Sequence, residues 1–172
     1  MKKRYIFVIT IVALLSISAV SAGGFDFLGG SGTVTIDKID FNIPSGYEEL
    51  EEDDSNNDFY NDEISDEYEK FNVETKNFQK TKPDPEHPGM ASIILGEMHI
   101  SIISDSKDLS LDDVKNNSAY DNKTINGKSG LYKEGEYSNT FYYVENGKLI
   151  RIDGYQNDGD LNFEDVIVES ES

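Results

Sequence analysis

The chain has 172 residues, with 34 acidic side chains against 15 basic ones and a formal net charge of −19. A charge of this sign repels nucleic acid and anionic lipid, so neither is expected as a partner. The chain contains no cysteine, which excludes disulfides and thiolate metal sites and leaves packing to stabilise the fold.

The first 22 residues predict a secretory signal peptide. The basic head Lys2-Lys3-Arg4 precedes an apolar run over residues 6–19, and Val20-Ser21-Ala22 supplies the small residues of a cleavage site. The apolar run is shorter than the ~20 residues that a membrane-spanning helix needs. We therefore expect a secreted or extracellular-surface location, with membrane contact only through this segment if it stays uncleaved.

Residues 23–32 form a glycine-rich lead-in, and residues 33–172 are expected to fold as a single domain. In the first strand of that domain, the apolar side chains before Asp37-Lys38 and those after it fall on opposite parities. Because a strand keeps the side chains of one face two residues apart, this change of phase indicates a bulge or a tight turn.

The stretch from Glu48 to Glu69 contains 12 acidic residues and no basic one. Charge repulsion and a shortage of aliphatic side chains argue against a packed element, so we expect a largely disordered acidic insertion at about 48–69. Phe59, Tyr60 and Tyr68 are candidates for tethering it locally. A calcium or partner site within this stretch stays an alternative.

The clearest predicted element is a β-hairpin around Asn146-Gly147, a dipeptide typical of two-residue turns in which both residues have positive φ. The register set by this turn directs one group of side chains toward the core: Phe141, Tyr143, Ile150 and Ile152. The opposite face is only half polar, and we expect it to be covered or to bind something: Tyr142, Val144, Leu149 and Arg151.

Two short helices are predicted around this sheet. Ser110 and Asp113 have the spacing of a helix capping box, and Phe163, Val166 and Ile167 recur at helical spacing. The expected fold class is therefore α+β, an antiparallel sheet with one or two helices packed on one face and a flexible acidic insertion.

The segment DGYQNDGDLNFED, residues 153–165, resembles a calcium-binding loop. Asp158, Asn162 and Asp165 match ligand positions of the EF-hand pattern, but glycine stands at the first ligand position and no second copy is present. Asn162 as a helix N-cap, with Asp165 three residues later, accounts for the same residues without metal. The calcium loop and the helix N-cap both remain alternatives. Calcium is the one ion for which the sequence suggests a site, and no cofactor is expected.

Catalysis has little support in the sequence. The two histidines, His87 and His99, stand alone, and the nucleophile pattern Gly-x-Ser-x-Gly does not occur. Paired carboxylates of a small hydrolase remain an alternative because the chain has so many acids. We expect no enzymatic activity.

Asn116 and Asn122 each begin an Asn-x-Ser/Thr sequon, completed by Ser118 and Thr124. In an exported protein of a glycosylating organism, such sequons are acceptors for N-linked glycans on the surface. We therefore predict two glycosylation sites in this polar part of the chain.

The segments IDFNIPSGYEE and TINGKSGLY…TFYYVENGKLIRIDGY…FEDVIVES together resemble small exported proteins of methanogenic archaea that have no assigned function. The order of elements also resembles the PsbP/Mog1-type α-β-α sandwich. These segments are structural, so the resemblance implies a fold and an exported location but carries no catalytic residue.

The leading functional hypothesis is an exported, non-enzymatic domain that binds a protein or a cell-envelope component. The first alternative is a calcium-dependent binding module that uses the acidic stretch and residues 158–165. The second alternative is a small carboxylate-dependent hydrolase.

Overall fold

The computed structural model describes residues 32–50, 64–89, 92–156 and 161–169. These residues form nine strands: β1 (Gly32–Ile36), β2 (Ile39–Ile43), β3 (Tyr47–Glu49), β4 (Asn72–Pro83), β5 (Ser92–Ser104), β6 (Asp121–Ile125), β7 (Lys128–Glu134), β8 (Ser138–Glu145) and β9 (Lys148–Gln156). Every pairing is antiparallel. Strands β3 to β9 make one seven-stranded sheet in the order β3-β4-β5-β9-β8-β7-β6, and β1 pairs with β2 as a separate hairpin.

Three tight hairpins set the strand register. The predicted turn at Asn146-Gly147 is confirmed, with φ of 52° and 73° and with Glu145 opposite Lys148. A second turn of the same kind joins β6 to β7 at Asn126-Gly127, and a third joins β1 to β2 at Asp37-Lys38, where φ is 43° and 69°. The third turn explains the change of phase in the sequence, because it reverses the chain between two strands.

One face of the seven-stranded sheet, here called the hairpin face, packs beneath the β1–β2 hairpin and residues 161–167. The predicted inward set from β8 and β9 is confirmed on this face, and all four of its side chains are at most 1% exposed. The hairpin and the C-terminal segment supply the opposing side chains: Ile36, Ile39, Phe41, Ile43, Phe163, Val166 and Ile167. Burial of this apolar area is the main stabilising term.

The opposite face, here called the loop face, is covered by residues 64–71 and 109–120. Tyr142 and Leu149 are fully buried there against Ile64, Tyr68 and Leu109. The second face of the β8–β9 hairpin is thus covered by other parts of the chain, and these covering segments consist of short turns. The two covers leave the seven-stranded sheet as the middle layer of the described residues.

The predicted α+β class is wrong, because the described residues are mostly β and contain no helix of seven or more residues. The capping box of Ser110 and Asp113 forms, but it begins a single 3₁₀ turn, Leu111–Asp113. A second 3₁₀ turn, Asn117–Ala119, follows before β6. The helical layers implied by the PsbP/Mog1-type sandwich are therefore not seen in the described part of the chain.

The predicted C-terminal helix is likewise reduced to a 3₁₀ turn, Phe163–Asp165. The chain leaves helical geometry because β2 captures it: the amide of Asn42 donates to the Val166 carbonyl at 2.8 Å, and Phe41 forms a β-bridge with Ile167. The periodicity of the apolar residues was real, but tertiary hydrogen bonds to an earlier strand overrode it.

Both ends of the acidic stretch are described, and both pack against the sheet. Glu48 and Glu49 belong to β3, while residues 64–67 make one helical turn. Tyr68, a predicted tether, is 2% exposed; Phe59 and Tyr60 lie outside the described residues. Within those residues, no helix is both long and apolar enough to cross a bilayer.

Candidate functional site

A row of polar side chains crosses the loop face at one level of the sheet. Asn77 of β4 lies opposite His99 of β5, His99 lies opposite Asp153 of β9, and Asp153 lies opposite Thr140 of β8. All four residues are between 1% and 9% exposed. Directly opposed residues share a face of an antiparallel sheet, so the strand register alone brings these side chains together.

Short hydrogen bonds link neighbours in the row, Thr140 with Asp153 and Asn77 with His99. The Thr140 hydroxyl donates to Asp153 Oδ1 at 2.6 Å, and Arg151 Nε donates to Asp153 Oδ2 at 2.6 Å. Asn77 Oδ1 and His99 Nδ1 lie 2.7 Å apart. Arg151 also donates from Nη1 to Glu67 Oε2 at 2.7 Å. The guanidinium thus ties the helical turn at residues 64–67 to the sheet through a bond that charge strengthens.

Burial lowers the pKa of His99 from 6.5 to about 4; the nearby Asp153 carboxylate opposes this shift, and the Arg151 guanidinium adds to it. The imidazole is therefore neutral at neutral pH. Its ring meets the ring of Tyr155 edge to face, with centroids 5.4 Å apart. A neutral imidazole in hydrogen-bond contact with an amide, beneath an aromatic ring, is a packed polar group and not an exposed acid or base.

Two tyrosine hydroxyls meet beside this network. Tyr68 donates to the Tyr142 oxygen at 3.3 Å, and burial raises the pKa of Tyr68 to about 12 and that of Tyr142 further. The Tyr142 ring contacts Tyr120 edge to face at 5.5 Å, and the Arg151 guanidinium carbon lies 5.6 Å from its centroid. Both phenols stay neutral donors, so this cluster holds the cover of the loop face in place.

Sequence reasoning missed this network, although a signal for it was present. Arg151 and Asp153 share one parity of a strand whose other parity is apolar, and His99 falls inside an apolar strand. Polar residues at positions of this kind have to pair when they are buried. Their partner Glu67 lies inside the acidic stretch, where no local pattern distinguishes it.

The structure describes two of the three residues predicted to bind calcium, Asn162 and Asp165. Asp158 lies outside the described residues. Asn162 acts as an N-cap, with its Oδ1 accepting the Glu164 amide at 3.1 Å, and Asp165 is exposed in the turn that follows. Among the described residues, no three His, Asp or Glu side chains lie close enough together to hold a metal ion.

Both sequon asparagines are exposed. Asn116 has φ of 55° and precedes the 3₁₀ turn Asn117–Ala119, and its side chain caps no amide there. Asn122 lies on β6, the last strand of the sheet, opposite Leu131 of β7. An acceptor asparagine has to be accessible, and these two are.

An open cleft of about 280 Å³ lies on the hairpin face between strands β6 to β8 and residues 161–164. Tyr132 and Phe163 line it with their rings edge to face, and Lys123 Nζ lies 3.9 Å from the Tyr132 ring centroid. The remaining polar lining is mostly acidic or amide: Glu134, Asn139, Asn162 and Glu164. This arrangement is suited to hold a cation over an aromatic ring near carboxylates.

Comparisons of the chain with protein-family models, with curated proteins and with solved structures found no match.

Proposed function

We propose that the chain is an exported, non-enzymatic domain that binds a protein of the cell envelope. The observation that carries the proposal is the placement of its polar chemistry inside the fold: His99 and Asp153 are buried, and the half-buried Arg151 is bonded to Asp153 and Glu67. Groups bonded in this way hold neighbouring parts of the fold together. The remaining charge is on the surface, where the net charge of −19 favours a partner with basic side chains.

The cleft around Tyr132 is the proposed contact point. Lys123 already places an ammonium group over the Tyr132 ring, so the site accepts a cation of that size and shape. A lysine or arginine of the partner would replace Lys123 over the ring, with Glu134 and Glu164 nearby to balance its charge. The export predicted from residues 1–22 would bring the domain to such partners.

A binding measurement with a matched control tests this site. A lysine- and arginine-rich peptide is titrated into the protein by calorimetry at low and physiological salt. The double variant E134Q/E164Q is expected to bind at least about tenfold more weakly, because both cleft carboxylates are lost. The variant E74Q/E86Q changes the net charge equally at two exposed positions on other strands and loops and should bind like the unmodified protein. Equal weakening in both variants would show that the cleft has no special role.

A thermal melt distinguishes the calcium-dependent module from the proposed function. The proposed function predicts the same melting temperature in sub-millimolar calcium and in a chelator. A rise with calcium that disappears in D158A would instead favour the calcium-dependent module.

A further inference from the structure

No described strand pairs with the outer edge of β6. β6 is the terminal strand of the seven-stranded sheet, and β7 pairs with only one of its edges. The turn at Asn126-Gly127 makes Ile125 and Lys128 a hydrogen-bonded pair, so bonding to β7 alternates along the strand. Lys123 and Asp121 therefore bond inward, whereas the amides and carbonyls of Asn122 and Thr124 point outward.

We propose that this edge pairs with the same edge of a second copy of the chain, in an antiparallel register centred on Asn122. Only alternate residues present outward backbone groups, and a pairing centred on Asn122 matches this alternation in both copies. The same register brings Asp121 of each copy directly opposite Lys123 of the other. Those two side chains share the hairpin face of β6, because they are two residues apart.

The charges of Asp121 and Lys123 favour this register, and they favour a second copy of the chain as the partner. A pairing centred on Lys123 would also match the backbone alternation, but it would place Lys123 opposite its own copy. In the register centred on Asn122, both close cross-strand pairs have opposite charges, which is favourable. At the other end of the sheet, β3 exposes Glu48, whereas Glu49 is paired with Lys76. A self-pairing centred on Glu48 would place two like charges opposite each other. In the dimer, the seven-stranded sheets of the two copies would then form one continuous sheet across the two-fold axis that relates the copies.

A charge-swap series in analytical ultracentrifugation tests the proposal, using protein produced without glycans, from micromolar to millimolar concentration. The unmodified protein is expected to dimerise. D121K and K123D should each raise the dimer dissociation constant by about tenfold or more, since each replaces both attractive pairs by repulsive ones. The double variant D121K/K123D restores opposite charges and should dimerise like the unmodified protein.

Two further variants separate edge pairing from other contacts. N122P removes an outward amide without touching the ladder to β7, because proline is accepted where an edge amide faces solvent; it should melt normally and stay monomeric. T33K alters the outer edge of β1 and should leave the dimer intact. A monomer at all concentrations, a dimer insensitive to D121K or N122P, or a double swap that stays monomeric would overturn the proposal. A dimer lost in T33K would overturn it too.

Discussion

Acidification is expected to weaken the fold through His99. The folded-state pKa of this imidazole is lowered to about 4 from 6.5, mainly by burial. The unfolded chain therefore takes up a proton below pH 6.5 that the folded chain refuses. The contribution of neutral His99 to the free energy of unfolding is fully present above pH 6.5, and it is lost as the pH falls toward about 4. Each pKa unit corresponds to about 1.4 kcal/mol, so about 2 kcal/mol should be lost between pH 6.5 and about 5.

Urea denaturation between pH 7 and 5, followed by tyrosine fluorescence, measures this loss. H99Q cannot titrate but offers an amide to Asn77, so its free energy of unfolding should vary much less over the same range. H87Q serves as the matched control, because it removes the other histidine, whose side chain is 61% exposed. If H99Q kept the full slope, or if NMR showed the His99 ring protonating near pH 6.5 in the folded state, the reasoning would be refuted.

Three other substitutions test the packing of the sheet. G130A should cost about 3 kcal/mol, because an added Cβ would lie 1.9 Å from the Tyr142 carbonyl oxygen, and urea midpoints should show the loss. G32A, whose added Cβ would meet no atom of the described residues within 4 Å, should be nearly neutral. N126D should cost about 2 kcal/mol and speed hydrogen exchange at the C-terminal segment, since the Asn126 amide donates to two carbonyls of that segment at 2.7 and 2.8 Å. R151M should cost about 3–5 kcal/mol at pH 7, as it leaves the Asp153 carboxylate buried without its cation; a thermal melt close to that of the unmodified protein would contradict this account.

Turns and helix caps could be predicted from the sequence, because a short pattern of residues determines each of them. Asn146-Gly147 specified its turn, and the turn specified the register of β8 against β9 and the inward side chains of both strands. Ser110 and Asp113 specified their capping box, and Asn162 its N-cap. These interactions span a few residues, so tertiary context had little room to change them.

The lengths of the two predicted helices could not be inferred from the sequence in the same way. Both predicted helices begin as expected, but the second is stopped by hydrogen bonds from β2, which lies more than 100 residues earlier in the chain. A short amphipathic segment gains little from helical hydrogen bonding alone, so pairing with a strand decided its conformation. The α+β expectation failed for this reason.

The buried network on the loop face belongs entirely to tertiary structure. Asn77, His99, Thr140 and Asp153 come from four strands, and only the order of those strands places them in one row. Glu67 reaches Arg151 across 84 positions of sequence. Composition and turn chemistry therefore decided the acidic character and the hairpins, because those depend on residue type and near neighbours. The long-range order of the strands decided which polar groups are buried, which pKa values shift and which strands lie at the edges of the described sheet.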